Sequence, residues 1–367
     1  MVGLLEIRRR KLQFALIAAV FALVSYLVLM ITGLGIGLNE LAGSALLNFD
    51  ADRLAYADTA GKSVIRSEMS QETVDRVSTA PGVEDAAPLA YVAANYVMPD
   101  GEIGSAAMLG YDPGTIAEPD VTEGRQLTPD DTNGILADRR FLSESGLDIG
   151  DTVTFQLRLE TVEMEIVGEI DEGAFFFQPA IYVLRPTLLD LKYGNLPADA
   201  RPVASVVLIQ GTPESDAGEG YEVLDKQTAF NNIEGVQGQS ATVTSLQVFG
   251  YLVGAMVIGV FFYVLTLQKI GQIGMLKAIG ASSGFILLQL LIQVLAIAAI
   301  GLVISIGLAL LTERAIKGGG EIVPISFTTN AFIVAGVLLL ATSALAAFFS
   351  GRQVLRTDPI IALGQQL

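Results

Sequence analysis

The chain of 367 residues is 51% hydrophobic and 17% charged, with a formal net charge of −17 and a mean hydropathy of +0.54. Soluble globular domains carry about 25% charged residues, so part of this chain is expected to lie outside water. Because the chain has no His and no Cys, it excludes a Ser-His-Asp triad, a cysteine nucleophile, a thiolate zinc site and a structural disulfide. Its 39 Asp and Glu residues still permit carboxylate-only hydrolysis or an oxygen-ligand metal site.

Four apolar windows without Asp, Glu, Lys or Arg are long enough to cross a bilayer, which takes about 20 helical residues. These predicted transmembrane helices cover residues 12–34, 248–268, 284–311 and 331–350. The first window follows four basic residues, as a secretory signal does. It is longer than the roughly 7–15 residues of a signal-peptide core, so we expect a retained span rather than a cleaved leader.

A polar domain, residues 35–247, separates the first two windows, and in it 35 Asp and Glu face 12 Lys and Arg. Alternating or β-branched patterns predict strands in this domain. These patterns cover residues 88–98, 103–111, 152–158, 162–168 and 203–210. The third and fourth strands predict a hairpin that turns near Glu160–Thr161. Helices are predicted at residues 70–79, with Ser70 as N-cap, and at residues 139–145, and this irregular mixture predicts an α+β domain.

The run Phe175-Phe176-Phe177 is unusual in so acidic a domain. It fits the domain core, and it also fits a loop that dips toward the bilayer or toward a partner subunit. Neighbouring carboxylates such as Asp130 and Asp131 lack the alternating ligand pattern of an EF-hand. We therefore expect no catalytic residues and no permanent metal site.

The loop between the second and third windows, residues 269–283, predicts a short amphipathic helix. Apolar residues recur at three-residue steps and are expected on one helical face, at Ile270, Ile273, Leu276 and Ile279. Such a helix either rests in the membrane interface or docks into a groove on a soluble partner. The tail ends with Asp358-Pro359-Ile-Ile-Ala-Leu363, a polar break followed by an apolar patch that also suits a contact.

The distribution of basic residues predicts the orientation. In the two terminal segments and the 269–283 loop, eight Lys and Arg face only Glu6 and Asp358, which places these segments in the cytoplasm of a multi-pass protein of the cell membrane. The cytoplasmic segments are residues 1–11, 269–283 and 351–367, and the outer ones are residues 35–247 and 312–330. The predicted fold is an α-helical membrane protein with four transmembrane helices and an α+β extracytoplasmic domain between helices 1 and 2. The acidity of that domain opposes a nucleic-acid partner.

The order of one span, a domain of about 200 residues and three further spans resembles the MacB/FtsX-type ABC transporter permeases. The loop Gln272-Ile-Gly-Met-Leu-Lys277-Ala-Ile-Gly280-Ala-Ser is similar to the family segment E-I-G-I-L-K-A-I-G-A-S. Gln272 stands where an acidic residue is common. The tail Arg356-Thr-Asp-Pro359-Ile-Ile-Ala-Leu363 resembles the family ending R-x-D-P-x-x-A-L.

This resemblance implies a homodimer or pseudo-dimer bound to two copies of a cytoplasmic ABC ATPase. The contact would run through the 269–283 loop, with the coupling residues Lys269, Gln272, Ile273, Leu276, Lys277 and Gly280. The chain has no G-x-x-x-x-G-K-[ST] phosphate loop, so ATP would be bound and hydrolysed by the partner. The chain by itself is expected to be a transport subunit and not an enzyme.

Within the family, the basic N-terminus, the first span and Gly33-Leu-Gly-Ile-Gly-Leu most resemble the haem-exporter permeases called HrtB. Haem would then be a transported substrate and not a permanent cofactor. In a chain without His or Cys, its axial ligand must be Met, Tyr or a carboxylate.

The first span offers one candidate face for this substrate. Residues at steps of 4, 3, 4 and 3 share one helical stripe, namely Tyr26, Met30, Gly33, Gly37 and Glu40. Met30, Glu40 or Tyr26 would ligate iron, and the glycines would leave room for a flat macrocycle. Arg53 would pair with a propionate. The alternatives are close helix packing at the glycines and a surface role for Arg53.

Spans without ionisable residues argue against an ion or proton pathway and favour a hydrophobic or amphipathic substrate taken from the bilayer. Two other functions remain open. The first is an FtsX-like transmembrane signal transmitter that regulates an extracytoplasmic partner without transport. The second is a machine that handles lipoproteins or peptides.

Overall fold

The computed structural model describes residues 11–157, 160–171, 173–194, 196–197, 200–268, 270–318 and 323–355. The chain divides into two compact units by its internal contacts. The first, Met1–Gly37 with Ser240–Leu367, is named here the helical unit, and the second, Leu38–Gln239, the sheet domain.

Helices account for most of the helical unit and flank the strands of the sheet domain. In chain order they are α1 (Lys11–Asn48), α2 (Gln71–Ser78), α3 (Arg139–Ser145), α4 (Arg185–Tyr193), α5 (Lys226–Asn231), α6 (Val236–Gln268), α7 (Ile270–Ala278), α8 (Ser283–Gly318) and α9 (Thr329–Leu355). Within the described residues, four helices are long and apolar enough to cross a membrane. These are Phe14–Asn48, Val236–Gln268, Ser283–Ile316 and Thr329–Phe349. The predicted number and order of transmembrane helices are confirmed.

The helices extend past the apolar windows. Helix α1 continues from the window at 12–34 to Asn48, and α6 begins at Val236 instead of residue 248. Hydropathy reports which solvent a segment prefers, whereas helical hydrogen bonds also continue through polar residues such as Ser245. The ends of these helices therefore could not be read from hydropathy.

The larger of two apolar clusters in the described part of the helical unit joins all four long helices. It draws buried side chains from the four long helices, including Phe14, Phe21, Val28, Ile258, Phe262, Val294, Ile297 and Leu339. Inside a bilayer the surrounding lipid is as apolar as these side chains, so close packing rather than the hydrophobic effect drives their association.

The sheet domain is built on mixed β-structure. Its strands are β1 (Arg53–Ala57), β2 (Val83–Val97), β3 (Ile103–Tyr111), β4 (Val121–Gly124), β5 (Gly134–Asp138), β6 (Thr152–Leu157), β7 (Glu160–Ile170), β8 (Ala174–Phe175), β9 (Gln178–Leu184), β10 (Val206–Gly211), β11 (Ala217–Gly218) and β12 (Tyr221–Asp225). The strand order is β11-β12-β1-β10-β2-β3-β9-β5-β7-β4, while β6 pairs with β2 and β7, and β8 pairs with β9. The predicted α+β domain between the first two transmembrane helices is confirmed.

Strand β2 links the two halves of this sheet. Its first part pairs with β10 up to Leu89, and its second part pairs with β3 from Ala90. One buried cluster extends across both halves, from Tyr56 and Leu208 to Tyr182, and includes the end of α1. A second cluster, with Tyr96, Phe141 and Phe155, accompanies the half that contains β3.

Several local predictions for the sheet domain can be compared with the structure. Ser70 caps α2, because its Oγ accepts a hydrogen bond of 3.2 Å from the Thr73 N–H, as predicted. The β6–β7 hairpin is also confirmed. Its turn lies directly before the predicted position near Glu160–Thr161, because Glu160 already pairs with Leu157 and Thr161 with Gln156. Since pairing continues to that point, the connection falls at residues 158–159, outside the described part of the chain.

Candidate functional site

Helix α1 packs closely against α6 along one of its faces. A Cβ added at Gly250 would lie 3.0 Å from Val28 Cγ2, and one added at Gly254 would lie 3.1 Å from Val24 Cγ1. The two glycines of the Gly-x-x-x-Gly motif therefore let the helices approach each other. A hydrogen bond of 3.3 Å from Gln247 Nε2 to Thr32 Oγ1 adds a polar contact between the same helices.

The predicted glycine stripe lies against another part of the helical unit, residues 323–328, which have no regular secondary structure and precede α9. A Cβ at Gly37 would come within 2.1 Å of the Pro324 carbonyl oxygen, and one at Gly33 within 2.4 Å of the Phe327 ring. The Ser326 N–H donates a hydrogen bond of 3.2 Å to the Gly33 carbonyl. These contacts support the packing interpretation of both glycines in this conformation.

The remaining stripe residues have different surroundings. Tyr26 is half-buried and its hydroxyl lies 2.8 Å from Thr312 Oγ1 on α8. Met30 is half-buried in the helical unit, whereas Glu40 is exposed and belongs to the sheet domain. The stripe is carried by one continuous helix, since the backbone leaves helical geometry only at Gly43. Binding of a ligand by these residues stays a prediction.

Arg53 lies on β1 of the sheet domain, where its Nη1 is 3.2 Å from Asp216 Oδ1. The aspartate is mostly exposed, so this is a surface ion pair of small energetic value. That contact favours the surface role that the sequence left as an alternative.

Helix α7 confirms a helix inside the 269–283 loop, but its apolar residues do not share one face. Ile273 is buried, whereas Leu276 and Ile279 are exposed. A step of three residues advances by about 300°, so a row at that spacing turns by roughly 60° at each step. Ile279 also lies beyond the last helical residue, Ala278. The exposed apolar groups leave a surface available for contact.

The other coupling residues are only partly described. Lys277 is half-buried in the last turn of α7. Lys269, the side chain of Gln272 and the tail motif at 356–363 lie outside the described part of the chain. Gly280 adopts φ +100°, its N–H bonds the Lys277 carbonyl, and the next N–H bonds the Leu276 carbonyl. This is a Schellman cap, which gives Gly280 a structural reason to be glycine.

The Phe175–Phe177 run forms a tight turn at the end of α1 within the sheet domain. Phe175 is buried, while Phe176 is half-buried and Phe177 is 40% exposed. The N–H groups of Phe176 and Phe177 donate to the carbonyls of Ala42 and Leu41 at 3.0 and 2.8 Å. Phe176 and Phe177 adopt φ of +51° and +62°, a strained region for bulky residues. The core interpretation thus fits Phe175, and Phe177 is the exposed member.

A buried carboxylate missed by sequence reasoning supports this turn. Asp138 Oδ1 accepts the Arg140 N–H at 2.9 Å, and Oδ2 accepts the Gly173 N–H at 2.8 Å. Burial, opposed by these two hydrogen bonds, raises the pKa of Asp138 to about 6. The signal that sequence offered was its position directly before α3, where Asp is a preferred N-cap.

Asp131, one of the neighbouring carboxylates, forms an ion pair with Arg125. Arg125 Nη1 lies 2.7 Å from its Oδ2, and hydrogen bonds from Arg125 and Thr128 hold the pKa of Asp131 well below its usual value. Among the described residues, His, Cys, Asp and Glu form no group of three placed to hold a metal ion.

Four membrane-length helices with a large domain between the first and second define this chain as a multi-pass membrane protein. Residues 245–359 match the family model FtsX-like permease C-terminal. The chain is 23% identical over 359 residues to a putative hemin transport system permease protein HrtB of Staphylococcus haemolyticus, covering 98% of this chain and 97% of that protein. It is 26% identical over 361 residues to an uncharacterised ABC transporter permease of Mycobacterium bovis, covering 97% and 96%.

Among solved structures, the periplasmic region of MacB from Actinobacillus actinomycetemcomitans is similar to this chain. It is 12% identical, with a TM-score of 0.35, over 51% of this chain and 94% of that one. Over residues 245–359 the chain matches the FtsX-like permease C-terminal model, and along its whole length it is similar to proteins described as ABC transporter permeases.

Proposed function

We propose that this chain is the permease subunit of an ABC-type efflux pump that exports haem, or a similar amphipathic molecule, from the membrane. The observation that carries the proposal is the alignment along 98% of the chain with a permease named for hemin transport. Haem is a transported substrate in this proposal and not a resident cofactor. The apolar windows at residues 12–34, 248–268, 284–311 and 331–350 agree with such a substrate, because they contain none of the charged residues that mark ion pathways.

The energy comes from a cytoplasmic ABC ATPase present in two copies, and two copies of this chain form a homodimer. Exposed apolar side chains at Met275, Leu276 and Ile279 provide the contact surface for the ATPase. In this proposal α7 and both termini lie on the cytoplasmic side of the cell membrane and the sheet domain lies outside, an orientation that the basic flanks support. ATP binding by the partners draws the two α7 helices together, and the spans transmit this movement to the outer leaflet.

The proposed substrate site is the outer half of α1. Met30 or Tyr26 offers an axial ligand from within the helical unit, and Glu40 offers a carboxylate further along the same helix. Gly33 and Gly37 leave backbone accessible to a flat molecule once the neighbouring residues 323–328 move aside. Arg53 already has a carboxylate partner, so we give it the smallest part in binding.

Haemin titration of the purified protein in detergent tests this proposal. We expect a saturable shift of the Soret band for the wild type, weakened at least tenfold in Met30→Ala or Glu40→Ala. Met256→Ala is a matched control, because Met256 is an exposed methionine on α6. An unshifted wild-type spectrum rejects haem as substrate and leaves the permease assignment in place.

A second candidate function, the FtsX-like signal transmitter, is favoured by the end of α1. The turn at Phe176–Phe177 bonds the carbonyls of Ala42 and Leu41, on the part of α1 that belongs to the sheet domain. A complex with the ATPase that hydrolyses ATP, responds to a protein partner of the sheet domain and binds no haemin would support this function instead.

A further inference from the structure

Residues Val323–Thr328, named here the strap, lie on the glycine face of α1. The Pro324 carbonyl oxygen occupies the space beside Gly37, and the Phe327 ring occupies the space beside Gly33. The fit at Gly37 is so close that even a methyl group there would collide with the strap backbone, at 2.1 Å. The glycines therefore create a groove that a polypeptide segment already fills.

A few non-covalent contacts hold the strap in place. Its backbone bonds α1 through the Ser326 N–H and the Gly33 carbonyl at 3.2 Å, near the long end of the range for such bonds. Phe327 stacks on Phe332 with ring centroids 5.0 Å apart, and Ile325 is buried. The strap has no regular secondary structure, so its release does not require a helix or strand to unfold.

In the proposed function, a flat substrate binds in this same groove on α1. Tyr26, Met30, Gly33 and Gly37 share one side of α1, and the strap covers the two positions at which a macrocycle would approach the backbone. Two bodies cannot occupy this space together, because protein interiors leave few voids larger than a water molecule.

We propose that the strap and the transported molecule exclude each other on the glycine face of α1, so that the strap closes the substrate site when it is empty. The proposal rests on the proposed function, since it concerns the same site. Binding of substrate then requires release of the strap, and return of the strap expels the substrate.

A single cysteine can report on the strap, because the natural chain has none. Ser326→Cys places a thiol of nearly the same size on the strap, and its reaction rate with a maleimide is measured on the full-length protein in detergent. Gly37→Ala in this background pushes the strap away through the clash with Pro324, so we expect labelling at least fivefold faster. Gly307→Ala is the matched control, because a Cβ at Gly307 meets nothing within 4 Å, and its rate is expected to stay unchanged.

Haemin is then added to the Ser326→Cys protein while its Soret band is recorded. A Soret shift together with at least fivefold faster labelling supports the strap proposal. A Soret shift with unchanged or slower labelling overturns the strap proposal and leaves the proposed function intact. Absence of any Soret shift overturns haem as substrate and the strap proposal with it.

Phe327→Ala provides an independent test that adds no atoms to the groove. Removing the ring weakens the attachment of the strap to α1. Haemin is therefore expected to bind several-fold more tightly than in the wild type. Weaker or unchanged binding contradicts competition between the strap and haemin. Phe285→Ala, at an exposed phenylalanine of α8, controls for loss of an aromatic ring.

Discussion

The two ends of helix α1 are alike in sequence character but are held by different forces. In the helical unit, Phe14, Phe21 and Val28 pack among other spans, where lipid would solvate them equally well and close fit determines association. In the sheet domain, Ala42, Ala45 and Leu46 join the core of a domain rich in charged residues, where removal from water stabilises the fold. A buried apolar residue therefore stabilises the helical unit through close packing, and it stabilises the sheet domain through removal from water.

The largest expected loss of stability comes from truncating a buried leucine at the sheet-domain end of α1. An exposed leucine at the other end serves as the comparison. Leu46 is 2% exposed in the sheet-domain core, whereas Leu23 is 68% exposed on α1. We expect Leu46→Ala to reduce the free energy of unfolding of the sheet domain by about 2–5 kcal/mol. Leu23→Ala is expected to change it by less than about 0.5 kcal/mol. Amide hydrogen exchange of residues 38–239 in the full-length protein measures both, and equal losses would contradict the comparison.

The next effect concerns pH and the buried carboxylate beside the end of α1. The pKa of Asp138 is raised from 3.8 to about 6, so the folded state binds a proton more tightly than the unfolded state. The free energy of unfolding is therefore highest below about pH 4, where Asp138 is protonated in both states. It decreases by about 3 kcal/mol as pH rises through 6 and the buried carboxyl group loses its proton.

Asp138→Asn removes this titration while keeping an oxygen that caps α3. Relative to the wild type, we expect the variant to gain stability steadily between pH 4 and pH 7, as followed by the thermal midpoint of the sheet domain. A difference that does not vary with pH would show that Asp138 does not titrate in this range.

The smallest effect concerns close contact with α1 at Gly173. Its φ is +92° and an added Cβ would lie 2.0 Å from Ser44 Oγ, whereas Gly114 has φ +76° and nothing within 4 Å. Both Gly→Ala changes strain the backbone by about 1 kcal/mol, so their difference isolates the clash. We expect Gly173→Ala to lower stability by about 1–3 kcal/mol more than Gly114→Ala. Thermal unfolding of the two variants compares them directly, and similar losses would mean that Ser44 moves away freely.

The candidate site was predicted unevenly, and particular residues show why. The step pattern placed Tyr26, Met30, Gly33 and Gly37 on one stripe of α1, because helical periodicity is a local property. What that stripe contacts is a long-range property, and the strap lies almost three hundred residues further along the chain. Nothing in the pattern of Pro324 and Phe327 indicates that they would fill the groove.

The N-caps of α2 and α3 show the same difference between local and long-range information. Ser70 before α2 was identified from sequence, because capping involves residues three positions apart. The burial of Asp138 and its bond to Gly173 were not, because these residues meet only when β5 and the turn after β7 come together.

By itself, the sequence determined the four membrane-length helices, the α+β character of the inserted domain, and the presence of a helix between the second and third spans. These features depend on hydropathy, periodicity and short-range hydrogen bonds, which are determined by residues close together in the sequence. Only the tertiary structure decided how far α1 extends, which glycines lie between α1 and α6 and which face the strap, and where the Phe175–Phe177 turn bonds the helix. Those outcomes depend on which distant surfaces fit at van der Waals distance, and such a fit is a property of the folded chain as a whole.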